Sequence, residues 1–164
     1  MHHLLLAVAR PGHLLRRERR VEIGHLLGAD RHSRCANVLL DVVSSQLPDS
    51  RVRDRIIELT SSPNESVAEV AAKFGSSGYV VESVPLALFA ARLIERHPFD
   101  DLLRMVIEAG GDTDTNASMT GQVAGAWLGA AKISSKMVEL LPEKNFVRQV
   151  STDFAETLRG SRGK

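Results

Sequence analysis

The sequence predicts an all-α protein, and three observations support this class. Apolar residues recur at three- and four-residue spacing through most of the chain, which is the pattern of helices that are buried on one face. No pair of segments alternates apolar and polar residues as paired strands do, and no internal repeat is present. Aromatic residues make up only 4% of the 164 residues, so the core is expected to consist of Leu, Val, Ile and Ala.

Gly, Pro and Ser residues mark the ends of the predicted helices. Pro48-Asp49 separates the first two, and Ser62-Pro63-Asn64-Glu65 has the form of a capping box that starts the third. Gly75 ends the third helix, Pro98 stops the fourth and Gly110 follows the fifth. The predicted helices are Cys35 to Leu47, Val52 to Leu59, the Ser62 box to Phe74, Ser83 to His97, Asp100 to Ala109, 114 to 131, and Asn145 to Leu158.

The helix predicted from 114 to 131 carries a stripe of small residues at intervals of four. This stripe consists of Ala117, Gly121, Gly125 and Gly129. Because a glycine inside a helix costs roughly 1 kcal/mol relative to alanine, the stripe predicts that another backbone packs very close. Met119, Val123, Trp127 and Leu128 supply an apolar pattern that a flexible linker would lack. We therefore predict a buried central helix here.

An acidic bend opens this helix and is the strongest functional signal in the chain. It is the run Gly110-Gly111-Asp112-Thr113-Asp114-Thr115-Asn116-Ala117, with two carboxylates and two hydroxyls in four positions. Mg²⁺ takes about six oxygen ligands, and Asp112, Asp114 and Thr115 can offer some of them. The alternative is that Asp and Thr serve as ordinary caps at the helix N-terminus.

Two common oxygen-ligand loops do not fit the bend. An EF-hand loop that begins at Asp112 requires Gly at its sixth position and Glu at its twelfth, where this chain has Ala117 and Val123. A phosphate-binding P-loop requires Gly-Lys-Ser/Thr at a fixed distance after Gly111, and this is absent.

The acidic bend and a second segment resemble the ADP-ribosylglycohydrolases, the group that includes the dinitrogenase-reductase-activating glycohydrolases. The bend, followed by Gly121 and Gly125-Ala126-Trp127-Leu128-Gly129, is similar to the C-terminal signature of that family. Gly75-Ser76-Ser77-Gly78-Tyr79-Val80-Val81-Glu82-Ser83, with Pro85 to Ala90, is similar to an upstream family segment. Together the two cover roughly residues 75 to 135.

The resemblance implies a compact multi-helix bundle, of which this chain contains a part, with a binuclear Mg²⁺ or Mn²⁺ site. The implied reaction cleaves the bond between ADP-ribose and a modified side chain or small acceptor. Asp112, Asp114 and Thr115 are the implied metal ligands, and Gly110 and Gly111 are the tight approach to them. Gly78 and Tyr79 are implied to lie beside ADP-ribose, where the Tyr79 ring could stack on the nucleotide. The alternative for Tyr79 is a core aromatic at a helix entry. No catalytic residue is implied.

One part of the family pattern is absent. Members take their other metal ligands from a Thr-Asp-Asp-Thr motif, whereas the nearest run here, Asp100-Asp101, lacks the threonines and has the form of a helix N-terminus. We therefore expect a chain with impaired activity when alone, which a separate polypeptide could complete. The alternatives are a non-catalytic helical module that binds ADP-ribose or a protein, and a relic fragment.

The remaining sequence features concern the domain organisation, the partners and the compartment. We divide the chain into a basic N-terminal segment (1–34), a helical region (35–159) and a mobile tail (160–164). The N-terminal segment holds seven arginines between Arg10 and Arg34. A net charge of +1 argues against nucleic acid as the main partner, and no apolar run approaches the roughly 20 residues of a membrane span. Cys35 is the only cysteine, which favours a reducing cytoplasm.

Overall fold

The computed structural model describes the backbone of residues 31–62 and 64–160, and side-chain surroundings from residue 38 onward. The regular secondary structure in this part of the chain is entirely helical, which confirms the all-α prediction. The α-helices are α1 (Arg31–Gln46), α2 (Arg51–Thr60), α3 (Val67–Phe74), α4 (Val80–Ala91), α5 (Phe99–Glu108), α6 (Thr113–Leu128), α7 (Ser135–Leu140) and α8 (Lys144–Gly160), with short 3-10 helices at Arg92–Glu95 and Ala130–Lys132. The predictions for residues 1–30 and 161–164 lie outside the described residues.

The capping box predicted at Ser62 is wrong, because the box that forms lies four residues later. Ser66 Oγ accepts a hydrogen bond from the Glu69 backbone N–H (3.2 Å), and Glu69 Oε2 accepts one from the Ser66 backbone N–H (2.7 Å). The backbone N–H and the hydroxyl of Ser66 both donate to Glu69 Oε2 and lower the pKa of Glu69, the backbone bond most strongly. The chain contains Ser-x-x-Glu in both frames, and only the second places its Glu in the first turn of the Val67–Phe74 helix.

Both ends of α4 differ from the prediction. Helix α4 begins at Val80 rather than Ser83, so that Pro85 lies inside it. A proline lacks the backbone N–H that would bond the carbonyl four residues earlier, so Pro85 leaves one carbonyl near the start of α4 without its usual helical partner. The α-helix ends at Ala91, and a 3-10 turn replaces the rest of the segment predicted to run to His97. The short helix α7 was not predicted.

The central helix of the first compact unit is α4, not the helix predicted around 114 to 131. Within α4 the continuous run from Ser83 to Ala91 is buried, and α4 packs against α2, α3, α5 and α6. Helix α6 buries only Asn116, Thr120 and Ala124, and its Trp127 is 48% exposed. A helix surrounded by others must be apolar on all sides, which the α4 sequence satisfies and the α6 sequence does not.

At Gly121, the small-residue stripe of α6 packs against side chains rather than against another backbone. A Cβ built at Gly121 would meet the side chains of Leu103 and Phe99 in α5 at 3.6 and 3.7 Å, which are ordinary van der Waals distances. Gly129 lies just beyond the helix as its C-cap, with φ +79° and open space around it. The prediction of a very close backbone is therefore wrong at Gly121, where side chains of α5 are the neighbours.

The described residues divide into two compact units between Ala130 and Ala131. The first holds the core, whose fully buried members include Leu40, Ile56, Leu59, Leu86, Phe89, Leu102 and Val106. The second contains α7 and the amphipathic α8, which confirms the helix predicted from Asn145 to Leu158. Its apolar residues Phe146, Val150 and Phe154 are exposed. Among the described helices, none combines the length and the hydropathy that crossing a membrane requires.

Candidate functional site

The acidic bend lies between α5 and α6 and turns on two consecutive glycines. Gly110 and Gly111 have φ values of +78° and +74°, a region that side-chain-bearing residues adopt only with strain. Gly111 also lies against the loop that precedes α4, since a Cβ there would be 2.3 Å from the Ser76 backbone oxygen. These two residues, predicted as the tight approach to the site, bring the bend into direct contact with that loop.

Asp112 is the N-cap of α6, and its two carboxylate oxygens have different surroundings. Oδ1 accepts a long hydrogen bond of 3.4 Å from the Thr115 backbone N–H. Oδ2 faces Gly78, where a Cβ would come within 2.3 Å of it. Capping and ligand binding were alternatives in the sequence, but this geometry allows both, because the cap uses one oxygen and leaves the other directed at the loop.

The Asp114 carboxyl group lies beside that of Asp112. A hydrogen bond from the Asp112 side chain, followed by bonds from the backbone N–H groups of Thr115 and Asp114, lowers the pKa of Asp114. Two carboxyl groups this close repel each other when both are ionised, so a shared proton or a cation between them relieves the repulsion. Neither forms an ion pair with a basic side chain among the described residues.

The remaining predicted ligand, Thr115, lies in the first turn of α6 and is half-buried. Its backbone N–H is used by the Asp112 cap, and its hydroxyl makes no hydrogen bond with a described residue. No group of three or more His, Cys, Asp or Glu side chains that could hold a metal occurs in the part of the chain that the structure describes. The bend therefore supplies two carboxylates and one hydroxyl, which is about half of an octahedral shell.

The loop from Gly75 to Tyr79 is held on one side by Glu82. The backbone N–H and the hydroxyl of Ser77 both donate to Glu82 Oε2, at 3.0 and 2.6 Å, and these bonds lower the pKa of Glu82. Gly75 ends α3 with φ +91°, and a Cβ there would overlap the Glu82 carboxyl carbon at 2.4 Å. The loop is thereby fastened to the first turn of α4.

The other side of the loop is fastened to the acidic bend. The Ser76 carbonyl oxygen accepts hydrogen bonds from the Asp112 backbone N–H (2.9 Å) and from Asn116 Nδ2 (2.6 Å). Together with the contact between Gly78 and Asp112, these bonds join two segments that are more than thirty positions apart in the sequence. The structure therefore brings Gly78 next to Asp112.

Tyr79 is the N-cap of α4, and its side chain is 48% exposed, so the alternative of a core aromatic is wrong. Its hydroxyl accepts a hydrogen bond from Arg51 Nη1 (3.2 Å), and the Arg51 guanidinium lies 5.9 Å from the ring centroid. Arg51 also lines a shallow cavity of about 190 Å³, together with Asp54, Arg55, Glu58 and Val81. Two acidic residues balance the two arginines there, so the formal charges of the lining side chains sum to zero.

Sequence reasoning missed three residues that build this site. Ser76 contributes only its backbone oxygen, which no side-chain pattern reveals. Glu82 stands two residues into α4, and its role becomes visible only when Ser77 folds back toward it. Asn116 lies within the family signature. It forms the buried face of α6 with Thr120 and Ala124, at intervals of four residues, and the glycine stripe at the same interval drew attention to a different face.

The comparisons with known proteins concern the chain as a whole and identify its family. The family model described as ADP-ribosylglycohydrolase matches residues 13–164. The chain is similar to ADP-ribosylhydrolase ARH3 of Mus musculus, with 30% identity over 120 residues that cover 68% of this chain and 32% of the relative. It is 29% identical to the Homo sapiens protein of that name over 120 residues, covering 68% and 33% of the two chains.

The Gallus gallus ADP-ribosylhydrolase ARH3 is 34% identical over 99 residues, which cover 53% of this chain and 26% of the relative. This chain thus spans about a third or less of the length of the curated relatives it matches. No solved structure matches it significantly. Since the family model covers nearly the whole sequence, the chain belongs to the ADP-ribosylglycohydrolase family.

Proposed function

We propose that this chain carries one half of the active centre of a metal-dependent ADP-ribosyl hydrolase. The reaction is hydrolysis of the glycosidic bond between ADP-ribose and a modified side chain or small acceptor. One observation carries the proposal: the Asp112 and Asp114 carboxyl groups lie together, and Asp112 Oδ2 faces the Gly78 loop. Family membership and the relatives' name, ADP-ribosylhydrolase, support the reaction class.

The donor set of the bend fits Mg²⁺ or Mn²⁺ in chemistry but not in number. Asp112, Asp114 and Thr115 would provide hard oxygen ligands, and a cation between the two adjacent carboxylates would offset their repulsion. A binuclear site needs further carboxylates, and the Thr-Asp-Asp-Thr run of the family does not occur in these 164 residues. We propose that another polypeptide segment or a separate chain supplies the remaining ligands.

When bound, a divalent ion would orient the ribose hydroxyls and activate the attacking water. The residues of this chain perform the positioning. Gly111 and Gly78 have no side chains, so the loop and the bend approach each other closely, and the exposed Tyr79 ring offers a stacking surface for the base of ADP-ribose. The residue that acts as catalytic base is not assigned.

A second function, a non-catalytic module that binds ADP-ribose or a protein, is favoured by a specific observation. Asp112 already acts as a helix cap, and no third carboxylate or histidine joins Asp112 and Asp114 within the described residues. A single weak metal position of this kind would bind a nucleotide without hydrolysing it. A relic fragment would do neither.

Free ADP-ribose release tests the enzyme hypothesis directly. The purified chain is incubated with Mg²⁺ or Mn²⁺ and with one N-linked substrate, ADP-ribosyl-arginine, and one O-linked ADP-ribosyl peptide. Calorimetric titration with ADP-ribose on the same sample detects binding without turnover. Because misplacement of reacting groups by about 1 Å can cost about a hundredfold in rate, we expect slow release from the chain alone.

Two double variants, each replacing a pair of neighbouring aspartates, test the assignment of the metal ligands. Asp112→Asn with Asp114→Asn should abolish both release and Mn²⁺ binding, whereas Asp100→Asn with Asp101→Asn, at the N-terminus of α5, should leave both unchanged. Binding of ADP-ribose without any release, even with a segment that contains Thr-Asp-Asp-Thr added, would favour the module. Equal release from both double variants would overturn the assignment of the metal ligands.

The partners and the compartment belong to the same proposal. We infer that ADP-ribose or an ADP-ribosylated molecule is the ligand and that nucleic acid is not the main partner, given a net charge of +1. The lone Cys35 supports a reducing cytoplasm.

A further inference from the structure

Asn116 is the most deeply buried polar side chain of the site. It is 0% exposed and lies in the first turn of α6, with its backbone N–H bonded to the Asp112 carbonyl at 3.0 Å. Its side-chain Nδ2 donates a 2.6 Å hydrogen bond to the Ser76 carbonyl oxygen. The orientation of the amide follows from this partner, because a carbonyl oxygen can only accept and therefore must face the nitrogen.

The Ser76 oxygen joins the two halves of the site. It accepts one bond from Asn116 Nδ2 and a second from the Asp112 backbone N–H at 2.9 Å. A loop held by a single bond can pivot about it, but two donors from one rigid helix end fix the direction of the carbonyl. The Gly78 backbone, two residues further along, is thereby held against Asp112 Oδ2.

Stability alone does not account for an asparagine at this position. Its Oδ1 is buried and has no hydrogen-bond partner among the described residues, which is a costly state for a polar atom. A leucine has nearly the same shape and would avoid that cost. The Ser76 oxygen would still be bonded by Asp112, so the replacement would leave no backbone group without a partner.

We propose that Asn116 is a positioning residue that couples the Gly75–Tyr79 loop to the acidic bend. Its bond to Ser76 makes the loop and the Asp112 carboxylate move as one body. The consequence for metal and nucleotide binding rests on the proposed function, whereas the mechanical coupling does not. The two parts are therefore tested by separate measurements.

The coupling is tested by amide hydrogen exchange in the wild type, in Asn116→Leu and in Thr120→Val. Thr120 is the matched control, since it is equally buried one turn further along α6 and donates only to the Asn116 carbonyl (2.8 Å). In Asn116→Leu we expect exchange of the Asp112 amide to rise at least about fivefold, the effect of one lost hydrogen bond. Thr120→Val should leave that rate within about twofold, well below the effect of a lost bond.

Mn²⁺ titration of the same three proteins reports on function. Residues that orient a metal ligand typically contribute about tenfold or more to affinity, so Asn116→Leu should weaken Mn²⁺ binding about tenfold at unchanged melting temperature. A residue with a purely structural role would lower the melting temperature and leave the affinity of the folded protein unchanged. If the wild type binds no Mn²⁺, the proposed function is wrong, and the exchange rates still decide the coupling.

A measurement on the wild type covers the case in which Asn116→Leu does not fold. The side-chain amide protons of Asn116 should exchange far more slowly than those of Asn64, which is exposed. Equal exchange of the two amides, or an unchanged Asp112 rate in folded Asn116→Leu, overturns the proposal.

Discussion

The contact between Gly78 and Asp112 allows the metal site to be perturbed without perturbing the fold. In Gly78→Ala the new Cβ would lie 2.3 Å from Asp112 Oδ2, and real Cβ contacts essentially never fall below 3.0 Å. The carboxylate must therefore retreat by about 0.7 Å, the difference between these two distances. Because the retreating atom ends a flexible side chain whose cap to the Thr115 backbone N–H is a long 3.4 Å bond, the cost to folding is small.

The expected loss is in metal binding. Gly78 does not have a positive φ, so alanine fits its backbone, and the free energy of unfolding should change by less than about 0.5 kcal/mol. A ligand displaced by most of an ångström loses its coordination distance, so Mn²⁺ affinity should fall by about tenfold to a hundredfold. The assay is Mn²⁺ titration followed by paramagnetic broadening of amide signals, beside thermal unfolding of the same samples.

Gly129→Ala is the matched control, with the opposite expected pattern. Gly129 has φ +79° and ψ 158° at the far end of α6, where nothing lies within 4 Å of a new Cβ. Backbone strain there should cost roughly 1–3 kcal/mol of stability and leave Mn²⁺ binding unchanged. Wild-type Mn²⁺ affinity in folded Gly78→Ala would refute the assignment of Asp112 Oδ2 as a ligand.

Three further predictions concern the segments that frame the site. Gly111→Ala should lower the free energy of unfolding, measured in urea, by about 2 kcal/mol or more, because φ at this position is +74° and the new Cβ would meet the Ser76 backbone. A loss under about 0.5 kcal/mol would contradict this packing. Ser66→Ala should lower the free energy of unfolding by about 1 kcal/mol in the same assay, and Ser62→Ala should leave it almost unchanged. The reverse order would support the capping box predicted at Ser62. Ser77 lowers the pKa of Glu82 in the folded protein below its ordinary 4.5, so the stability this carboxylate contributes is present above that pH and is lost as the pH falls through the lowered pKa. Urea midpoints of Glu82→Gln should therefore change less than those of the wild type between about pH 5 and pH 3, and identical pH profiles would exclude the role of Glu82.

The helices could be predicted from the sequence because their signals are local. Amphipathic spacing and the stops at Pro98 and Gly110 located most of them within a few residues. One error arose where two local signals competed. Two consecutive Ser-x-x-Glu frames, 62–65 and 66–69, were available at the start of α3, and only the second forms the capping box.

The predicted site residues show a similar division. Asp112, Asp114 and Thr115 stand within four positions, so a single bend brings them together, and the sequence could group them. Gly78 and Tyr79 were grouped with them through family resemblance. The bonds that hold the two segments together involve the Ser76 backbone and the Asn116 amide, which have no pattern of their own.

The sequence by itself determined the helical class, the family and the acidic composition of the bend, because each of these depends on residues that are close together in the chain. Only the tertiary structure decided that α4 rather than α6 is the buried centre and that Oδ2 of Asp112 faces Gly78. It also decided that Asn116 is buried against Ser76. Contacts between distant segments depend on how helices pack, and packing follows from the whole set of apolar surfaces rather than from any one segment.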